Sequence, residues 1–476
     1  MSTRNAALLI DFGSTYTKLR AVDLSGPQLL ASGQGPSTVD TDISFGLSAA
    51  LKDLERHLGN LPPFRYRLAS SSAAGGLRMV TVGLVRELTA EAARQAALGA
   101  GAKLVGTFAY QLTRADLDRI VALAPDILLL AGGTDGGNTE VILGNARALA
   151  DTPIRCPIIV AGNRVAADEV RGVLAGAGKP VVNTDNVMPE FGVLAIEPAR
   201  EAIRQVFIKR IVHAKGIDRA QSMFDEVLMP TPAAVLEGAR LLAEGHAGAS
   251  GLGPLLVVDI GGATTDVHSV CDGKPTREGV VLQGLPEPYL KRSVEGDLGM
   301  RHNAMAILEA AGLEALATDA GLPAAQVEQR VQQLQEDTER LPTDGEERAI
   351  DRALARAAIR IAVRRHAGTT ETVYTVNGPV SVQRGKDLGE LSAIIGTGGP
   401  LASSIDATAM LSMALADPVE PLSLRPQQAR LLFDRSYVLY ACGLLASAEP
   451  AAALALALTY IKPIGEEAHH ERSSTG

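Results

Sequence analysis

The sequence predicts an α/β protein of two duplicated lobes facing each other across a cleft, with an extra α/β unit set into the first half. Three observations predict it. The 476 residues exceed one ordinary core. Strand and helix patterns alternate from Leu104 to Asn163, as parallel strands with crossover helices require. Above all, DFGSTYTKLRAV lies over DIGGATTDVHSV with Asp11 on Asp259, Gly13 on Gly261, Thr17 on Thr265 and Val22 on Val270, at a constant offset of 248 residues.

The elements follow in order. ALLIDFG, TKLRAVDL and QLLASGQG read as a meander punctuated by Gly13, Gly26 and Gly33. A helix is expected over Ile43 to His57, capped by Asp42 or Ser44, followed by the strand FRYRLASSS. A second helix runs from about Thr89 until Gly99 and Gly101 stop it. Then come KLVGTF, a helix over Arg114 to Ala124, DILLLAGG, a helix over Glu140 to Leu149, and PIIVAGN. PLLVVDIGG, TTDVHSVCDG and KPTREGVVLQG restart the meander. Residues 301–366 read as charged helices with solvated faces. YVLYACGLLASAEPAAALALALTYI reads as a buried helix pair broken at Glu449 and Pro450, and GEEAHHERSSTG as a frayed tail in which His469 and His470 are not metal ligands. The expected segments are 1–100 for the first part of lobe one, 101–200 for the inserted unit, 201–250 for connecting helices, 251–425 for lobe two and 426–476 for C-terminal helices and tail.

Composition excludes several classes of function. A net charge of −9 without a basic tract argues against nucleic acid and against an anionic membrane. Aromatic residues make up 3% and tryptophan is absent, so base-stacking platforms are not expected. Cys156, Cys271 and Cys442 stand apart, without metal-ligand spacing, which fits a reducing, cytoplasmic compartment. No apolar run reads as a membrane span.

The repeated residues suit phosphate chemistry. Glycines let successive main-chain N–H groups approach phosphate oxygens, and the hydroxyls of Ser14, Thr15, Thr264 and Thr265 add donors. An aspartate beside a polyphosphate implies a bridging Mg²⁺, so Asp11 and Asp259 are the expected metal-facing carboxylates, one per lobe. A single copy of the motif is no more than a hairpin turn; two copies and a third glycine loop are stronger. In that third loop, AIIGTGGPLA, Gly396, Gly398 and Gly399 suit close approach to adenosine, although a helix cap would use the same residues. LLLAGGTDGGN offers Gly132, Gly133 and Thr134 either to an anion or to a strand-to-helix turn. RSVEGDLGMR, with Glu295 and Asp297 between Arg292 and Arg301, reads equally as a switch segment or as a surface charge cluster. Ser70, Ser71 and Ser72 have no neighbouring base and read as structural.

Two phosphate loops followed by an adenosine-type glycine loop resemble the actin, sugar-kinase and heat-shock-chaperone ATPase superfamily. The fold class implied is α/β, with duplicated ribonuclease H-like (actin-like) ATPase lobes around a nucleotide cleft. LLIDFGSTYTKL, SSAAGGLRMV, LLLAGGTDGGN, LMPTPAAVL, VVDIGGATTDVHSV, RSVEGDLGMR and IIGTGGPLA, in that order from residue 8 to about 460, resemble the glutamate mutase L family. The resemblance implies an ATP-hydrolysing reactivating chaperone that releases damaged cobalamin from an adenosylcobalamin-dependent mutase through nucleotide-driven lobe movement, with ATP/ADP and Mg²⁺ as ligands; a homodimer is compatible with it. It assigns Asp11, Gly13, Ser14, Thr15 and Lys18 to the first phosphate loop. Asp259, Gly261, Gly262, Thr264, Thr265 and Asp266 form the second, and Gly396, Gly398 and Gly399 hold adenosine.

One departure stands out. Met229, Pro230 and Thr231 occupy the place where relatives carry a Glu or Gln that orients the attacking water. Either Asp266 takes that role or hydrolysis is slow and binding itself is the switch. Asp266 aligns with Lys18, so the repeat breaks its symmetry there. A small-molecule kinase would need a base, for which Asp40 and Asp42 are the candidates. An iron–sulfur activase would need more thiolates than three scattered cysteines supply. A nucleotide-dependent filament or scaffold is the remaining alternative.

Overall fold

The computed structural model describes residues 5–13, 16–38, 42–71, 77–214, 224–376 and 378–465. The chain divides into two compact units. One comprises Met1–Gly238, Gly284–Pro288 and Tyr440–Ala453; the other comprises Ala239–Gln283, Tyr289–Leu439 and Leu454–Gly476.

The first unit opens on the expected meander, β1 (Ala6–Phe12), β2 (Tyr16–Asp23) and β3 (Gln28–Pro36). β1 is buried along its whole length, which makes its unbroken apolar run AALLI that of a central strand covered on both faces. Helix α1 (Ile43–Leu58) starts where the Asp42 carboxylate accepts the Ser44 N–H, and it turns Ile43, Leu47, Ala50 and Leu54 inward along one stripe. β4 (Phe64–Ser71) runs parallel to β1, and β10 (Glu226–Pro230) runs parallel to β4. The sheet order is β10-β4-β1-β2-β3.

Set into this unit is a second sheet of parallel strands: β5 (Arg78–Gly83), β6 (Lys103–Ala109), β7 (Ile127–Leu130), β8 (Ile158–Val160) and β9 (Val181–Asn183). Its order is β6-β5-β7-β8-β9. The crossover helices are α2 (Glu91–Gly99), α3 (Arg114–Leu123), α4 (Glu140–Ala150) and α5 (Ala167–Gly176). α3 begins in a capping box in which Thr113 and Asp116 satisfy each other's backbone N–H. β5 precedes the segment expected to form the inserted unit. One face of this sheet packs Val80, Val82, Leu130 and Val160 against α3, α4 and α5. The other face joins Met79, Ile127, Leu129 and Ile159 to the alanines of α2, to Ala199 and Ile203 of α6 (Glu197–Ala214), and to the core beneath β1 and α1.

The second unit repeats the first sheet. β11 (Leu255–Ile260) and β12 (Thr265–Val270) form a hairpin, β14 (Leu290–Glu295) pairs antiparallel with β12, and β17 (Ala393–Thr397) and β18 (Arg430–Asp434) continue parallel to β11. The order β14-β12-β11-β17-β18 is that of the first lobe strand for strand, with the two-residue β19 (Ile461–Lys462) added at the far edge. A three-stranded sheet of β13 (Val280–Leu282), β15 (Thr369–Thr375) and β16 (Gly378–Arg384) stands apart from it. The expected α/β architecture with a duplicated lobe and an inserted unit is therefore the one observed.

The charged stretch forms α8 (Ala304–Ala311), α9 (Leu313–Ala320), α10 (Ala324–Glu336) and α11 (Gly345–His366). α10 buries Val327, Val331 and Leu334 and leaves most of its charges in water. α11 carries Glu346 and Glu347 in its first turn and Arg364, Arg365 and His366 in its last, which complements its dipole. The alanine-rich end forms the expected pair, Leu439–Leu445 and Pro450–Tyr460. No described helix is long and apolar enough to cross a membrane.

Helix α7 (Thr231–Glu244) meets the first of that pair backbone to backbone. A Cβ on Gly443 would stand 1.8 Å from the Ala234 carbonyl oxygen and 3.0 Å from the Gly238 nitrogen. Main chain cannot yield as a side chain can. Gly443→Ala should thus lower the unfolding free energy by about 2 kcal/mol or more, despite alanine's better helix propensity. An unchanged urea midpoint would show that the two helices separate freely.

Candidate functional site

The two copies of the motif fold into the same hairpin. In the first unit, Asp11 pairs with Lys18 and Phe12 with Thr17 across β1 and β2. In the second, Asp259 pairs with Asp266 and Ile260 with Thr265 across β11 and β12. The Gly13 N–H donates to the Tyr16 carbonyl at 3.1 Å, and the Gly261 N–H donates to the Thr264 carbonyl at 2.9 Å. Each of these bonds spans the positions aligned in the sequence repeat. Ser14 and Thr15 lie outside the described residues.

In the first copy Asp11 is 2% exposed. Its Oδ1 accepts the hydroxyl of Thr231 at 2.5 Å, and that hydroxyl lies 3.2 Å from Ser70 Oγ. Ser70 is the residue opposite Asp11 on β4. Asp11 Oδ2 lies on the Gly13 side, 3.9 Å from where a Cβ of that glycine would stand. Ser37 Oγ donates to the Gly13 carbonyl at 2.7 Å. Thr17 is fully buried, and its hydroxyl has no hydrogen-bond partner among the described residues.

In the second copy two carboxylates face each other across the strands, an arrangement that like charge disfavours. Arg292 of β14 resolves it: its Nε and Nη2 donate to Asp266 Oδ1 at 3.0 and 2.7 Å. The Asp266 Oδ2 accepts Thr264 Oγ1 at 3.1 Å. Lys18 thus has its electrostatic counterpart one strand further out. Thr265, the second hydroxyl expected to meet phosphate, is fully buried and donates to the Leu298 carbonyl at 2.7 Å.

The RSVEGDLGMR segment, open between two readings in the sequence, straps this loop from beneath. Met300 N–H donates to the Gly261 carbonyl, and the N–H groups of Arg301 and His302 both donate to the Gly262 carbonyl. Arg301 then donates to Asp351 of α11 through its two terminal guanidinium nitrogens, at 3.1 and 2.6 Å. Burial raises the Asp351 pKa even so. Arg365 bridges Glu295 and Asp297; its hydrogen bond holds Asp297 below the usual carboxylate range, whereas burial outweighs it at Glu295 and raises that pKa.

The third loop follows β17. Gly398 has φ of +93°, and a Cβ there would stand 2.1 Å from the Ile260 carbonyl and 2.8 Å from Asp259 Oδ1. Only glycine lets this loop lie against the Asp259 carboxylate. Gly399 is exposed and opens the short helix α12 (Gly399–Ser403). Gly396 is buried and packs on Leu401 and Leu411, so its lack of a side chain serves the core. Thr397, opposite Asp259 on β17, has a buried hydroxyl without a hydrogen-bond partner among the described residues.

The remaining candidates resolve toward structure. In LLLAGGTDGGN, Asn163 accepts the Gly136 N–H and donates to the Gly137 and Asn138 carbonyls, while Asn186 donates to the Gly133 carbonyl. Those contacts are the ones a strand-to-helix turn needs. Asp42 caps α1 through the Ser44 N–H and hydroxyl; Asp40 lies outside the described residues, as do Ser72, His469 and His470. Among the described residues no three His, Cys, Asp or Glu side chains gather as a metal site. A cation here would be held by single carboxylates and water.

Two sheets of identical order, each with an aspartate-glycine hairpin on its central strand, define the class: the duplicated α/β fold of actin-like ATPases and sugar kinases. The family model described as MutL protein matches residues 7–461. Protein MutL of Clostridium tetanomorphum is 46% identical over 458 residues, 96% of this chain and 99% of that one. The chain belongs to the MutL family. Among solved structures it is similar to a glycerol dehydratase reactivase at 10% identity, covering 93% of this chain and 100% of that one with a TM-score of 0.34. It is also similar to the xylulose kinase of Bifidobacterium adolescentis at 14% identity, covering 95% and 93% with a TM-score of 0.32. These two likenesses are distant, and the strand order rather than they defines the fold.

Within the second hairpin, on β12, His268 is fully buried and placed opposite Val257 and Arg292. Burial, reinforced by the Arg292 charge, pushes its pKa down to about 3. The unfolded chain therefore takes up a proton near the ordinary histidine value while the folded chain refuses it. Stability should fall as pH drops from about 6.5 toward 3, by roughly 1.4 kcal/mol per pH unit from this one group. Urea titrations across that window check it: His268→Gln should flatten the slope, and an equal slope in the variant would assign the proton uptake elsewhere.

Proposed function

We propose that this protein is an ATP-binding, slowly ATP-hydrolysing chaperone that reactivates an adenosylcobalamin-dependent mutase by releasing its damaged cobalamin. The observation that carries the nucleotide reading is the repeated hairpin, which sets Asp11 and Asp259 at equivalent ends of equivalent central strands. Membership of the MutL family supports the mutase as partner.

The chemistry of the donor set fits Mg²⁺–ATP. Asp11 and Asp259 are single oxygen ligands of the kind Mg²⁺ takes together with water. Thr397 stands opposite Asp259 and Thr17 opposite Phe12, each with a buried hydroxyl that has no hydrogen-bond partner among the described residues, and the Gly398 approach keeps the third loop free of a Cβ. Bound Mg²⁺ would neutralise phosphate charge. The chain's own part is to present the two carboxylates, to offer the exposed Gly262 and Gly399 main chain to phosphate and adenosine, and to keep Asp266 fixed on Arg292. With Asp266 so engaged, slow hydrolysis follows, and nucleotide binding can act as the switch by favouring one state over another.

The test uses an inactivated mutase complex, following ATP turnover and cobalamin release together. Asp259→Ala should reduce both by at least about tenfold, the scale lost with one charge-stabilising group. Unchanged release in that variant would remove nucleotide from the mechanism. ATP-dependent pelleting without any effect on a mutase would instead favour a scaffold protein.

A further inference from the structure

In the second glycine loop three successive carbonyls are tied to one neighbouring segment. Met300 N–H donates to the Gly261 carbonyl at 3.0 Å, Arg301 and His302 N–H reach the Gly262 carbonyl at 2.9 and 3.0 Å, and Asn303 Nδ2 donates to the Ala263 carbonyl at 3.1 Å. We infer that residues 299–303 are a positioning strap for phosphate, with Arg301 and Asn303 as its positioning residues: by holding these carbonyls it turns the N–H groups of Gly262, Ala263 and Thr264 away from itself as an anion nest. The inference rests on the nucleotide reading above and deepens it, by naming what orients the phosphate-facing main chain of the second lobe.

A planar trans peptide points its C=O and the N–H that follows in opposite directions. Three successive carbonyls tied to one strap therefore leave three successive N–H groups on the far side. None of those three N–H groups has an acceptor among the described residues, and Gly262 and Ala263 are exposed. Successive N–H groups at a turn form a concavity that binds anions. The strap lies on the loop main chain to main chain, since a Cβ on Gly299 would stand 2.3 Å from the carbonyl carbon of Ala263. Thr265, the next residue of the hairpin, donates to the Leu298 carbonyl just ahead of the strap.

The strap is itself fixed to α11. Arg301 is 9% exposed; besides the Asp351 carboxylate, it donates to the carbonyls of Arg340 and Met300, each at 3.0 Å. A two-pronged guanidinium–carboxylate pair sets orientation as well as distance. Further along the same helix Arg365 binds Glu295 and Asp297, so α11 also grips the chain ahead of the strap. The first lobe holds the equivalent carbonyl from the equivalent place. Ser37, just after the third strand of the first meander, donates to the Gly13 carbonyl, as Met300, after the third strand of the second, donates to that of Gly261. The donors differ in kind, a hydroxyl and a main-chain N–H, and only the second lobe carries the Arg301 anchor to α11.

The full chain is titrated with ATP and with adenosine at fixed Mg²⁺, for wild type, Asp351→Asn, Asp351→Glu and Asn303→Ala. Asp351→Asn removes the charge that anchors Arg301 and should weaken ATP about tenfold, the order of coupling between linked sites, while adenosine stays within about twofold. Asp351→Glu keeps the carboxylate and should return ATP affinity to within about twofold of wild type. Should Asp351→Asn not fold, Asn303→Ala, which cuts the bond to Ala263 at a half-buried helix start, reads the same ATP-to-adenosine ratio. An unchanged ratio in the folded variant overturns the positioning role and leaves the nucleotide reading intact. A wild type that binds ATP no more tightly than adenosine removes the anion nest, and one that binds no ATP overturns the nucleotide reading with it.

Discussion

A carboxylate at the end of a buried central strand needs a donor or a counter-charge, and the rest of each lobe is arranged around supplying one. An unpaired buried charge costs about 3–5 kcal/mol when a partner is taken away, a large part of a domain's whole stability. In the first lobe the Thr231 hydroxyl donates to Asp11 and lies against Ser70 of the neighbouring strand. In the second, Asp259 and Asp266 are opposed, and Arg292 from the next strand answers the charge of Asp266. His268's own burial, reinforced by the Arg292 charge, in turn keeps that imidazole neutral.

Local pattern made much of this legible. The meanders, α1 with its Asp42 cap, and the duplicated hairpins were readable because each is fixed by near neighbours: apolar alternation, a capping carboxylate, a glycine at a tight turn. The register of the repeat was readable too, down to Asp266 standing where Lys18 stands. What the sequence did not disclose was long-range. Arg292 was visible only as one end of a charged segment, and its bond to Asp266 depends on the pairing of β12 with β14. Thr231 was noted for the Glu or Gln it is not, because nothing local marks a hydroxyl for a partner 220 residues away. The strand RMVTVG was passed over, since a short apolar run without a helix of its own before it carries little periodic signal.

Glycine readings divided by cause. Gly13, Gly261 and Gly398 stand at turns or against a carboxylate, as a ligand-facing loop requires, whereas Gly396 is explained by Leu401 and Leu411. Sequence cannot separate the two, because both uses demand the same missing Cβ. The same ambiguity held for GGTDGGN until Asn163 and Asn186 were seen to occupy its polar groups.

The inserted parallel sheet turns one whole face, Met79, Ile127, Leu129 and Ile159, into the apolar core beneath β1 and α1. A module attached by a hinge would keep that face to itself. Here the insertion and the Asp11 hairpin share one interior, so a substitution that loosens that apolar face is felt on both sides of it.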